Sequence, residues 1–288
     1  MVALPSDFLP GPQALGKALR TRLPRFSRVQ WLARTGSTNA DLMARARTND
    51  GILARPWLQG AHVQEQGRGR AGRSWQNREG ANLMFSCAFD VFMPARQLPT
   101  LSPLIGLLAC EALRSKLSPA RQQRLTMKWP NDIVWDRGKL AGILIETSRS
   151  GTATHASDHH MVIAGIGINL DDARALSQSL ERRVADWSEI VADDACAAEG
   201  GAVALVTAIA ESWYLGLNGV TAHGLTDFAQ RYARVDGLAG QALDVTDNGR
   251  LIQSGIACGV NEHGQLVLRN AGGEHALSVG EISVRAQS

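Results

Sequence analysis

The chain has 288 residues, room for about two domains at roughly 150 residues each. Hydrophobic residues make up 44% and charged residues 20%, a balance that excludes a wholly disordered chain. Thirty Lys and Arg against 27 Asp and Glu leave a formal charge of +3, too mild to demand a nucleic acid or a membrane surface as partner.

Residues 1–28 read as a Pro- and Arg-rich N-terminal arm with one short helical stretch near Gln13 to Thr21. Pro5, Asp7, Pro10 and Pro12 interrupt the unbroken apolar run that a signal peptide needs. Val29 to Ala33 reads as a strand, and Thr35 to Asn39 (TGSTN) offers N-cap chemistry for a helix over Ala40 to Arg47. Ala61 to Gln66 is a strand that runs into a Gly/Arg loop at 67–73, Leu83 to Val91 is another strand, and Leu101 to Leu117 is a long apolar helix. From Leu125 the pattern is strand, turn, strand: Leu125 to Trp129, Ile133 to Trp135, Leu140 to Thr147 and Met161 to Leu170. The stretch 148–160 reads as a polar loop. Helices return at about 202–217 and 224–233.

Beyond Asp236-Gly237 the pattern changes to five short strands: Ala242 to Thr246, Leu251 to Cys258, Gln265 to Arg269, His275 to Val279 and Glu281 to Arg285. Hairpin turns such as Asp247-Asn248-Gly249 separate them. This predicts a small β-barrel over 237–288 after a mixed α/β domain over 29–236. The longest apolar stretches, Leu104 to Cys110 and Ala202 to Ala210, fall short of the ~20 residues of a spanning helix, so no membrane partner is expected. Cys87, Cys110, Cys196 and Cys258 form no CxxC pair, which fits a reducing, cytoplasmic compartment.

Four lysines stand against 26 arginines. Two of them, Lys128 and Lys139, fall inside motifs, where an ammonium differs from a guanidinium in shape and hydration. The run Gly67-Arg68-Gly69-Arg70-Ala71-Gly72-Arg73-Ser74 nearly matches a Walker A motif, but Arg73 stands where the Lys belongs. A phosphate loop must also open a helix, whereas here the chain passes Trp75 and Gly80 into a strand. The glycines still allow close wrapping of backbone N–H groups around oxygens, and Arg68, Arg70 and Arg73 supply forked donors. An anion site is the favoured reading over a solvated basic loop or a nucleic-acid contact.

Lys128-Trp129-Pro130-Asn131-Asp132 bends the chain at a strand end. A Lys beside an Asp suits a phosphate and its Mg²⁺, and a turn favouring Asn-Asp is the alternative. Gly138 to Glu146 (GKLAGILIE) places Lys139 at the mouth of a buried strand, with Gly142 inside it. Gly165-Ile166-Gly167-Ile168-Asn169 repeats the glycine-bearing strand and ends on a polar Asn, read either as base recognition or as tight packing.

Taken in order, Ser37-Thr38-Asn39, the GRGRAGRSW run, KWPNDI with GKLAGILIE, and GIGINL resemble the biotin protein ligases from about residue 30 to the closing GEISVR segment at 280–285. The resemblance implies a mixed α/β catalytic domain akin to class II synthetases and lipoate ligases, then a small SH3-like barrel. It implies that biotin and MgATP give biotinyl-5′-AMP and pyrophosphate, and that the biotinyl group passes to a lysine of a biotin carboxyl carrier protein domain.

By resemblance, Arg68 and Lys139 lie at the biotin carboxylate and the α-phosphate and act in catalysis with Lys128 near the phosphates. Ser37, Thr38, Asn39, Gln64, Gly67, Arg70, Gly142 and Gly165 complete the biotin site. Arg70, Arg73, Trp75, Lys128, Asn131 and Asn169 serve ATP, with Trp75 stacked on adenine, and Asp132 is the candidate Mg²⁺ ligand. Arg68→Gly is then expected to release the adenylate. The pair Glu65-Gln66 departs from the small residues expected beside Gln64 and leaves a carboxylate unexplained. Only 36 residues precede Ser37, too few for the winged helix of the repressor members, so no sequence-specific DNA binding is expected. A homodimer is left open. A lipoate or octanoate ligase and a non-catalytic ligand sensor are the rival readings.

Overall fold

The computed structural model describes residues 4–47, 55–149, 158–247, 250–280 and 282–286. Helix α1 (Pro12–Arg22) begins with Pro at its first turn, where the missing N–H is no loss. It seats Leu15 and Leu19 in the core against strand β1 (Arg28–Thr35). Helix α2 (Thr38–Arg47) follows, then β2 (Trp57–Gln64), β3 (Asn82–Phe92) and helix α3 (Leu101–Arg114). Strands β4 (Leu125–Lys128), β5 (Asp132–Trp135), β6 (Gly138–Arg149) and β7 (His159–Asn169) complete a seven-stranded sheet. Its order is β1-β2-β3-β7-β6-β5-β4, with β1 and β2 parallel and the other neighbours antiparallel.

The alternation of side chains across the sheet separates two jobs. One face carries Phe85 and Cys87, packed in the core with α3 and a long helix, α6 (Gly201–His223); Phe85 meets Trp213 of α6 at 5.7 Å between ring centroids. The other face carries Ser86, paired to Gly165 across β3 and β7, beneath α2. Small and polar residues there leave the space that becomes the pocket.

Helix α6 is 23 residues long and apolar enough, by length and composition alone, to cross a bilayer. The apolar run from Ala202 to Ala210 underestimates it, because the helix continues past Glu211 and Ser212. Its Leu205, Ile209, Trp213 and Leu217 are buried, and Trp213 donates from Nε1 to the Ile105 carbonyl of α3 at 3.0 Å, so the helix is a core element here. Two short helices, α4 (Ala173–Ser179) and α5 (Trp187–Asp193), occupy the segment after β7, which shows no periodic pattern in the sequence. The helix expected over 224–233 is confined to α7 (Phe228–Ala233), since Gly224 ends α6 with φ 72°.

The C-terminal strands β8 (Ala242–Asp247), β9 (Arg250–Val260), β10 (Leu266–Asn270), β11 (Gly273–Leu277) and β12 (Ile282–Ala286) form one antiparallel sheet in the order β11-β10-β9-β8-β12. Among the described residues its two edge strands do not pair, so the small barrel expected from the hairpin pattern is an open five-stranded sheet. Residues 248 and 249 of its first turn and Glu281 lie outside the described residues, as do 150–157 of the loop expected at 148–160. The rest of that loop is strand and turn, because β6 runs to Arg149 and β7 begins at His159.

Candidate active site

A cavity of about 840 Å³ opens on the α2 side of the large sheet, within the range of ligand pockets. Its wall includes Ser37, Thr38, Asn39, Gln64, Arg68, Arg70, Arg73, Trp75, Lys128, Asn131, Asp132, Lys139, Gly142, Gly165 and Asn169. Fifteen of the sixteen residues singled out in the sequence thus share one cavity, although they come from five stretches of chain, 37–39, 64–75, 128–132, 139–142 and 165–169. Gly67 is the exception: it is buried at the base of its loop, where its carbonyl accepts from Trp75 N at 2.9 Å. A Cβ there would stand 3.2 Å from the Trp75 carbonyl oxygen, so glycine keeps this turn closed.

The two ends of the cavity differ in chemistry. At the first end the start of α2 meets β2 and β3. Thr38 N donates to Gln64 Oε1 at 2.8 Å, and the Thr38 and Ser86 hydroxyls are 2.6 Å apart. Asn39 sits directly on Gly165, where a Cβ would come within 2.2 Å of its Oδ1. Arg68 is paired at this end with Glu146 at 3.5 Å. Glu65 points outward to Arg34, both side chains being 57% exposed, so the carboxylate beside Gln64 does not enter the pocket.

At the second end cations gather around one carboxylate. Lys139 Nζ lies 2.7 Å from Asp132 Oδ1, and Arg70 donates to Asn131 Oδ1 at 3.1 Å and also to the Gly280 carbonyl. Burial pulls the pKa values of Lys128 and Arg70 below their ordinary values, and the Asp132 carboxylate opposes that shift in both. Lys139, Arg182 and Arg285 add to the downward pull on Lys128. A site that makes its own cations repel one another is short of negative charge, and an incoming anion relieves it.

Between the ends lies the Trp75 ring. Gly142 and Gly167 face each other across β6 and β7, and a Cβ at Gly167 would be 2.5 Å from the indole. Lys139 Nζ is 5.8 Å from the ring centroid, near enough for a cation–π contact. The indole Nε1 is buried and has no hydrogen-bond partner among the described residues.

Asn169 is 4% exposed. Its amide donates to the Lys139 and Ala185 carbonyls at 3.2 and 3.1 Å, and its oxygen accepts from Asn82 at 3.3 Å. The side chain therefore holds the backbone of Lys139 in place and has no N–H left for a base.

Sequence reasoning missed Ser86, Arg182 and Arg285 on the pocket wall. Ser86 is hidden in an apolar strand, and Arg182 follows the unrecognised helix α4. Arg285 arrives from β12, which pairs it with Asp244 of β8; only its place in the closing segment marks it.

Known proteins resemble this chain in sequence and in fold. Residues 31–169 match the family described as Biotin/lipoate A/B protein ligase. A biotin--[acetyl-CoA-carboxylase] ligase of Paracoccus denitrificans is 31% identical over 87% of this chain and 98% of its own length. A bifunctional ligase/repressor of Escherichia coli is 29% identical over 78% of this chain, which spans 65% of that protein. The biotin protein ligase of Aquifex aeolicus, solved in complex with biotin and ATP, superposes with a TM-score of 0.69 at 24% identity, over 91% of this chain and all of that one. The chain belongs to the biotin protein ligase family.

Proposed function

We infer that the chain is a biotin protein ligase that joins biotin to AMP and then hands the biotinyl group to a protein lysine. The observation that carries this reading is the single cavity with a polar end and a cationic end. A cyclic urea needs hydrogen-bond partners once buried, since an unpaired polar group costs about 1–3 kcal/mol, and Ser37, Thr38 and Gln64 supply them. A dithiolane or alkyl chain would leave these groups unpaired, which weighs against a lipoate or octanoate ligase.

In the first step a biotin carboxylate oxygen attacks the α-phosphorus of ATP, and the bond to the β-phosphate oxygen breaks with loss of pyrophosphate. Two anions must be brought together, so positioning and charge neutralisation do most of the work. Lys128, Lys139 and Arg70 surround the place where the two meet. Arg285 and Arg182 stand near the phosphates, and Trp75 offers a face for the adenine. In the second step the uncharged ε-amine of the acceptor lysine attacks the biotinyl carbonyl, AMP leaves, and a proton is lost from the new amide nitrogen. We assign the acceptor to a biotin carboxyl carrier domain and the setting to the cytoplasm.

ATP carries Mg²⁺, which needs one or two carboxylates beside the phosphate oxygens. Asp132, with a side chain 22% exposed, fits that need once Lys139 turns to the phosphates. When bound, the ion supplies charge neutralisation on the leaving pyrophosphate.

Pyrophosphate release from MgATP, with biotin or lipoate supplied separately, tests the reading. Release with biotin alone is expected. Release with lipoate alone would overturn the assignment of Ser37, Thr38 and Gln64, and silence with both would turn the chain into a ligand sensor.

A further inference from the structure

A continuous chain of hydrogen bonds runs from the polar end of the pocket to Glu146, which lies behind the pocket wall. Asn39 Nδ2 donates to Glu146 Oε2 at 2.8 Å, and Ser86 Oγ donates to Asn39 Oδ1 at 2.6 Å. The hydroxyls of Ser86 and Thr38 lie 2.6 Å apart, and Thr38 N donates to Gln64 Oε1 at 2.8 Å. Ser86 and Asn39 are buried, and Asn39 is clamped over Gly165, so the chain has little freedom to rearrange.

The direction of every bond in it follows from one end. A carboxylate paired with Arg68 accepts only, so the Asn39 amide turns its NH₂ to Glu146 at 2.8 Å, with a second, longer bond to the Leu144 carbonyl at 3.4 Å, and its oxygen to Ser86. Ser86 has one proton and gives it to Asn39, so its oxygen accepts from Thr38. Thr38 has one proton, for which Ser86 Oγ at 2.6 Å and Gln64 Oε1 at 3.2 Å compete; the shorter contact takes it, which leaves a Thr38 lone pair for the ligand. The Gln64 oxygen is held by Thr38 N, which leaves the Gln64 NH₂ free to donate. The pocket therefore presents an acceptor at Thr38 and a donor at Gln64. A cyclic urea, with N–H donors beside a carbonyl acceptor, is the complement of that pattern.

We propose that Glu146 is a positioning residue for biotin: by fixing the proton direction of the Asn39–Ser86–Thr38 chain, it sets the donor and acceptor pattern that selects the ureido ring. The proposal rests on the reading of this cavity as the biotin site. Glu146 itself touches no substrate, and the effect is transmitted through Asn39.

A swap of the end groups tests this. Glu146→Gln leaves only the long bond to the Leu144 carbonyl to hold the direction of the chain and removes a charge-assisted bond, and is expected to raise the KM for biotin about tenfold. The kcat and the KM for ATP should stay within about twofold of the parent chain. Asn39→Asp alone sets two carboxylates face to face and should be worse. The double variant Asn39→Asp/Glu146→Gln restores a carboxylate to accept from Ser86 and an NH₂ to stand behind it. It should bring the biotin KM back to within about threefold of the parent. A merely structural role for Glu146 predicts no such rescue. If Glu146→Gln does not fold, comparison of the double variant with Asn39→Asp carries the test. Parental biotin KM in Glu146→Gln, or a double variant no better than the single ones, overturns the proposal. A parent chain that releases no pyrophosphate with biotin overturns the functional reading itself, and the proposal with it.

Discussion

Arg68 and Arg70 are two residues apart and identical in type, yet their surroundings differ. Arg68 leans on Glu146 beside the polar end, and Arg70 lies between Asn131 and Gly280 within reach of the Asp132 charge. On this placement we propose that Arg70, rather than Arg68, retains the adenylate. Arg70→Gly should leave adenylate formation measurable and speed its loss from the protein at least tenfold, while Arg68→Gly should act mainly on the KM for biotin. Timed filtration of the radiolabelled adenylate from both variants checks this. Lys139→Ala removes the ammonium between Asp132 and the Trp75 ring and should lower kcat/KM for biotin about 100-fold, the scale of losing one preorganised charge contact. Unchanged kinetics would make that lysine a surface group. Motif spacing identified these side chains as cations of one site. It could not assign them to its two ends, because that depends on Glu146 of β6 and Asn131 of the β4–β5 turn, which the fold brings to them.

Within single elements, glycine does the work that side chains cannot. On β7, Gly165 and Gly167 point to the same face two residues apart, one under Asn39 and the other under Trp75. Gly165→Ala should displace Asn39, break the chain to Ser86 and raise the KM for biotin by tenfold or more with little change in that for ATP. Strand β2 carries a second device on the opposite side. Trp31 Nε1 donates to His62 Nδ1 at 2.8 Å, and His62 Nε2 faces the Pro10 carbonyl at 3.1 Å. Burial, partly offset by the Pro10 carbonyl, holds the His62 pKa below its ordinary value, so the folded chain favours the neutral ring. Between the folded and unfolded pKa values the unfolded chain binds more protons. The stabilisation is thus complete above pH ~6.5 and is lost as the pH falls through that value toward the folded pKa. Melting curves from pH 8 to pH 5 should show a steeper acid loss for the parent chain than for His62→Gln, and parallel curves would refute this. The strands and the long helices were legible because their apolar periods are long. Helices α4 and α5, seven residues each, were not, since so short a segment spans fewer than two full turns and shows no period.

Across the whole molecule the C-terminal sheet is tied to the catalytic face by specific groups. Trp129 Nε1 donates to the Gly264 carbonyl at 2.9 Å, Thr100 Oγ1 donates to the His263 carbonyl at 2.8 Å, and Arg70 reaches Gly280. The connecting residues pair with β4, since Met127 N donates to the Val235 carbonyl at 2.7 Å and Gly237 N to the Met127 carbonyl at 2.8 Å. We propose that residues 237–288 form a separate unit that closes the nucleotide end with Arg285. Arg285→Ala should raise the KM for ATP several-fold and leave that for biotin unchanged, and removal of 237–288 should abolish adenylation. A fully active truncation would refute that role. The existence of a β-rich C-terminal unit was legible from turn spacing. Its contact with the site was not, because Arg285 and Lys128 are brought together only by the packing of two sheets.

The central claim is that one cavity holds biotin and nucleotide together long enough to join them. Native mass spectrometry of the chain after incubation with biotin and MgATP reads this directly. A bound mass equal to biotinyl-5′-AMP, lost in Arg70→Gly, is the result expected here. A chain that retains only biotin, only ATP, or neither would contradict it.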